Sequence, residues 1–153
     1  MGDRNAGNQV GFTLMELITV MAVMAIMAAV AIPAFMGLLP GIRLNGAARQ
    51  VMGDLMDARM AAVKKNNQYK VFFLNNHEYK ILDDANGNGV DDDTGTPRTV
   101  NIQDNYSDVT LSDTGDPIFS PKGTATSLST ITVQNSSGSK SVSVSIAGRV
   151  KIN

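Results

Sequence analysis

Gly11-Phe12-Thr13-Leu14-Met15-Glu16 opens an apolar run that reaches Leu39, and residues 17–39 carry no charge. At about 1.5 Å per helical residue those residues span roughly 35 Å, enough to cross a hydrocarbon core. A carboxylate at the mouth of such a helix is costly, and ionisable groups in membrane segments mark function by default. Glu16 therefore needs a reason. A short polar leader, residues 1–11, precedes the Gly11-Phe12 junction, and Glu16 follows that junction closely. An ordinary secretory signal peptide is the rival reading, with Ala29-Val30-Ala31 as a small-x-small cleavage site. Against it, the charged region would contain Glu16, and Asp3 cancels Arg4.

Composition divides the chain. All nine Met lie at or before Met60, while most Asp, Ser and Thr lie after it. Residues 12–66 carry five basic against three acidic side chains, and residues 67–153 seven basic against ten acidic. The mildly acidic second part argues against general attraction to nucleic acid or anionic lipid. With no Cys there is neither a disulfide framework nor thiol chemistry. His77 is the only histidine and falls in an expected turn, and no serine shows a nucleophile elbow, so the chain does not read as an enzyme.

The long helix is expected from near Phe12 to near Asn66, interrupted where Pro33 removes a donor and kinks the helix, and again at Pro40-Gly41. Beyond Gly41 the pattern is amphipathic: Leu44, Ala48, Val51, Leu55 and Ala62 recur at three, four or seven residues. After Asn66 the period becomes two. Residues 69–74 and 78–82 read as strands around the turn Asn75-Asn76-His77, and residues 83–97 as a Gly/Asn/Asp loop. Shorter strands are expected at 99–102, 109–111, 118–119, 130–133, 141–146 and 149–152, with residues 135–139 as a turn. Val142, Val144 and Ile146 alternate with Ser141, Ser143 and Ser145, giving one buried and one wet face.

The Gly-Phe junction, Glu16 and the following apolar run resemble the processing and assembly signal of type IV pilins and type II secretion pseudopilins. The resemblance implies cleavage after Gly11 by a prepilin peptidase, N-methylation of Phe12, and an assembly role for Glu16. Many members also carry a proline where Pro33 falls. Further stretches resemble the GspH/FimT branch of minor subunits: Asp57-Ala58-Arg59 with Ala62 and Asn66-Asn67, the loop from Asp84 to Asp91, Phe119-Ser120-Pro121-Lys122-Gly123, and Gly148-Arg149-Val150-Lys151. The implied fold is α+β, a long N-terminal helix, transmembrane then amphipathic, packed on a small antiparallel β-sandwich of type IV pilin-like form. The implied organisation is a leader (1–11), a transmembrane or filament-core helix (12–39), an amphipathic helix (40–66) and a periplasmic β-rich domain (67–153). The implied function is a minor pseudopilin in a short periplasmic filament, near its tip. The alternative is a minor type IV pilin that initiates pilus assembly or binds DNA during uptake. Partners would be the peptidase, other pseudopilins or pilins, the inner membrane and its assembly platform.

Two local sites complete the reading. Asp84-x-Asn86-x-Asn88-Gly89 matches the first half of a calcium loop, with Asp92, or its neighbours Asp91 or Asp93, as a later ligand, although Gly95 stands where an EF-hand places its bidentate Glu. Any calcium binding would be weak; the bland reading is a turn in which those residues supply φ > 0. Arg149 and Lys151 would share one face of a strand, and some branch members bind DNA through a C-terminal Gly-Arg-x-Arg element. Here Lys151 replaces the second Arg and loses its bidentate fork, so DNA is an improbable partner.

The mature chain should begin at Phe12 with a methylated amine. The intact mass of membrane-extracted protein checks this; a terminus at Ile32 would establish the signal-peptide reading instead.

Overall fold

The computed structural model describes residues 11–88 and 97–153. One helix, α1 (Leu14–Lys65), is followed by β1 (Gln68–Phe73), β2 (Glu78–Asp84), β3 (Arg98–Asn101), β4 (Thr110–Asp113), β5 (Ile118–Phe119), β6 (Ser129–Asn135), β7 (Gly138–Val144) and β8 (Val150–Ile152). Helical assignment runs unbroken through Pro33 and through Pro40-Gly41, so neither ends the helix. Proline deletes one hydrogen bond, but its fixed φ suits a helix, and the turns on either side carry the helix across. Two compact units divide at Leu38 and Leu39. In the first, every described residue up to Leu38 is exposed.

The second unit holds two antiparallel sheets, ordered β3-β2-β1-β5 and β4-β6-β7-β8. Four local expectations shift. The β1–β2 pairing extends to Gln68↔Asp84, so Asp84 closes a strand instead of opening a loop. Ile102 leaves β3 for a short 3₁₀ turn (Ile102–Asp104), capped by Asn101, whose side chain accepts from the Gln103 N–H at 2.9 Å. β6 and β7 pair as far as Asn135↔Gly138, which leaves a two-residue turn, Ser136-Ser137. Strand β7 ends at Val144, and Ile146 is 59% exposed, so the expected buried alternation stops one pair early. The backbone turns there because Gly148 adopts φ 75 and the Ser145 N–H reaches the Arg149 carbonyl at 2.9 Å.

The amphipathic half of α1 covers this sandwich. Leu44, Ala48, Val51, Leu55 and Ala62 are buried as their spacing implies, joined by Ala47, Ala58 and Asp54. They pack with Val71, Tyr79 and Phe119 from one sheet and Ile131, Val133, Val142 and Val144 from the other. Small residues at 47, 48, 58 and 62 let the helix backbone come close, and the bulk comes from the strands. The helix stops in a Schellman geometry: Asn66 takes φ 56, and the Asn67 N–H reaches back to the Ala62 carbonyl at 3.2 Å.

Three polar attachments fix the helix. The buried Asp54 accepts a hydrogen bond from the Tyr79 hydroxyl on β2 and an ion pair from Arg98 on β3 at 2.8 Å. Burial first, and then the Asp54 carboxylate, push the Tyr79 hydroxyl well above the ordinary tyrosine value of 10.0. The Arg59 Nε donates to the Gly123 carbonyl at 2.7 Å, and Gly148 lies against the same carbonyl: a Cβ on Gly148 would sit 1.9 Å from it. Where α1 enters the second unit, the Asn135 amide donates to the Pro40 carbonyl at 2.8 Å and to Asp108 at 3.0 Å, and Arg43 pairs with Asp108 at 3.4 Å.

A fragment beginning at Gly41 should melt cooperatively with mixed helix and sheet signal. One beginning at Asn67 should be far less stable, since it loses the apolar cover; equal melts would show that the stripe serves other subunits. In the longer fragment, Gly148→Ala should cost more than about 1–2 kcal/mol, because left-handed strain adds to a backbone collision. Tyr79 has a raised folded pKa, so its contribution is complete below pH 10.0 and falls as pH rises beyond it. Tyr79→Phe should flatten that alkaline decline in urea melts, and an unchanged alkaline slope would exclude Tyr79 as its source.

Candidate functional site

The N-terminal segment is the candidate site. No atom of the described residues lies within 4 Å of where a side chain on Gly11 would begin. Phe12 is 85% exposed. Thr13 caps α1: its hydroxyl accepts from the Glu16 N–H at 3.2 Å, and its carbonyl accepts from the N–H groups of Glu16 and Leu17 at 3.1 and 3.2 Å. Thr13-Leu14-Met15-Glu16 therefore has the spacing of a capping box, a role for Thr13 that the sequence reading passed over. Glu16 lies in the first turn, where the helix dipole favours a negative charge. The cap, Thr13, lies after the Gly11-Phe12 junction, so a cut at that junction would leave it in place.

Beyond Glu16 the helix presents apolar side chains on all sides. Leu17, Met21, Met24, Met27, Val30 and Phe35 are all between 59 and 73% exposed. Among the described residues α1 is the one helix long and apolar enough to cross a membrane. Met and Ala make this surface adaptable and closely approachable, which suits packing against other helices.

The remaining candidates lie in the second unit. Asp84 is buried at the end of β2, while Asn86 and Asn88 are exposed in the turn that follows. The Asn86 side-chain oxygen accepts from the Asn88 N–H at 2.9 Å, and the Gly87 N–H, with φ 69, reaches the Asp84 carbonyl at 3.2 Å. These bonds build a turn from its own residues. Asp92, the fourth expected ligand, lies outside the described residues. Among those described, no three His, Asp or Glu side chains gather as a metal site. Lys151 is in β8 and Arg149 just before it, both exposed. His77 is exposed in the β1–β2 loop, its ring against the Asn76 side-chain oxygen at 2.7 Å. At the C-terminal end of α1, Lys65, Asn67 and Tyr69 all donate to Asp83, at 3.2, 3.2 and 3.0 Å. The hydrogen bonds to Tyr69 and Asp83 raise the Lys65 ammonium above its usual range. That cluster adds a fourth attachment, tying the end of the helix to β1 and β2.

Two family models match the chain, one at each end of its helix. The prokaryotic N-terminal methylation motif matches residues 8–32, and the type II transport protein GspH family matches residues 47–148. Crystal structures of the type IV minor pilin FimU of Pseudomonas aeruginosa share the fold at TM-score 0.56 and 19% identity, over 72% of this chain and 87 or 92% of theirs. The minor pseudopilin EpsH from the type 2 secretion system of Vibrio cholerae does so at TM-score 0.55 and 11% identity, over 72% of this chain and 96% of its own. No curated protein sequence gives a significant match. With a family match that spans most of the covering helix face and all but the last strand, and the methylation motif ahead of it, this chain belongs to the type II transport protein GspH family.

Proposed function

We propose that the protein is a structural minor pseudopilin of a type II secretion system, assembled through α1 into a short periplasmic filament near its tip. The observation that carries this is Glu16 within a methylation motif, at the start of a fully exposed apolar helix that continues into a GspH-family domain. Prepilin peptidase would cut after Gly11 and methylate Phe12. Residues 12–39 would hold the precursor in the inner membrane with the domain in the periplasm, until the assembly platform draws the helix into the filament.

Glu16 gives assembly its register. The freed amine of Phe12 is cationic at nearly the same depth as the carboxylate. When a neighbouring subunit sets its amine beside Glu16, each charge offsets part of the desolvation the other would suffer alone. A minor type IV pilin that initiates pilus assembly or binds DNA during uptake is the second reading. The exposure of Arg149 and Lys151 favours it, while the acidic excess of residues 67–153 opposes it. A DNA shift that weakens steeply with salt would support that reading. Weak calcium binding by Asp84, Asn86, Asn88 and Asp92 is a separate proposal: millimolar calcium should raise the melting temperature of the soluble domain, and an unchanged melt removes it.

Glu16→Ala should leave insertion and cleavage after Gly11 intact, since it makes the helix more apolar and does not alter the junction. Incorporation should fall, read as crosslinking to other pilin-like subunits in membranes at matched expression. Undiminished crosslinking with normal secretion would overturn the charge-pairing step.

A further inference from the structure

The chain holds nine Met, no Cys and a single His, so thioethers are its soft metal donors. Two of them meet outside the apolar stretch, well beyond Leu39. Met56 and Met60 are four residues apart on α1 and line one open cleft of about 510 Å³, together with Gly53 and Asp57. They are 41 and 60% exposed, so neither sulfur is committed to the core. Met52, one turn earlier, packs against the core and is no part of the cleft. Residues four apart on a helix place their Cβ atoms about 5–6 Å from each other. Met is unbranched and rotates freely, so two sulfurs at that spacing can close on one ion. A Cβ on Gly53 would meet nothing within 4 Å, which leaves the flank of the pair open for an ion to enter.

The donors select the ion. Thioethers are soft, neutral ligands that favour copper(I) and its heavier analogue silver(I), whereas calcium and magnesium call for oxygen donors. Asp57 lines the same cleft, and no salt bridge engages it among the described residues. Its carboxylate offsets the charge that an ion would bring. Of the two cations that border the cleft, Arg59 is held by the Gly123 carbonyl at 2.7 Å, and Lys64 lies one turn beyond Met60. We infer that Met56 and Met60 form a binding site for one soft monovalent cation, copper(I) or silver(I), held between their two sulfurs beside Asp57. The inference stands apart from the filament reading, since it needs only this half of α1 to meet water.

Silver(I) is the probe, because it is soft, redox-inert and has no thiol to compete for it in this chain. Dilute peroxide converts accessible Met to the sulfoxide, and peptide mass spectrometry reads each Met separately. A sulfur whose lone pair is bound to silver does not take the oxygen. In the detergent-solubilised full-length chain, silver nitrate should slow sulfoxide formation at Met56 and Met60 together, by about tenfold once the site is mostly filled. In Met60→Leu, Met56 should oxidise at its silver-free rate even with silver present. That substitution nearly conserves volume at an exposed position, so the melting temperature should not move. Calcium in place of silver should protect neither Met. Protection of only one of the two, protection of Met56 that survives Met60→Leu, protection by calcium, or no protection overturns the inference. Equal protection at Met21, Met24 and Met27 overturns it as well, since any exposed thioether would then take the ion.

Discussion

One helix has to satisfy two surroundings, and the fold depends on how it does so. Through Leu38 it is apolar on every side and buries nothing of its own. From Leu44 to Ala62 it is apolar on one face and closes the core of both sheets. Neither sheet can keep its inner face dry without that helix. The sandwich is small, so each buried side chain matters: truncating Leu55 to Ala would cost about 2–5 kcal/mol by the usual transfer and cavity terms.

The attachment is more polar than a simple apolar stripe. Asp54 is buried in that face and is satisfied by Tyr79 and Arg98 from two different strands. A buried pair of this kind adds little net stability over an apolar substitute, but breaking it is costly, so it fixes which strands the helix must meet. Arg59 does the same on the other side through the Gly123 carbonyl, against which Gly148 packs. Gly123 and Gly148, which the sequence reading noted as family-like stretches, thus have a physical reason: one carbonyl, one guanidinium and one turn without a side chain share a single space.

The periodicities carried most of this information. The stripe from Leu44 to Ala62 and the strand positions were legible because each expresses a period of 3.6 or 2 in apolar residues. Asp54 was not, since a polar residue in an apolar face reads as an interruption, and Tyr79 and Arg98 lie far along the chain. Ile146 misled because its alternation with the serines continues past the point where Gly148 turns the backbone. The unbroken helix at Pro33 and Pro40 was hidden by proline's local cost, which neighbouring turns absorb. At the candidate site, Gly11, Phe12 and Glu16 were legible as a motif, whereas the cap formed by Thr13 emerged only from the hydrogen bonds.

A chain that serves as a filament subunit is built into a filament and does not remain a membrane-anchored monomer. Immunodetection of the chain in isolated filaments, quantified against the most abundant subunit, tests it most directly. The account predicts the processed chain in the filament fraction at far fewer copies than that subunit. Finding the processed chain only in the membrane fraction, absent from every filament preparation, would contradict it.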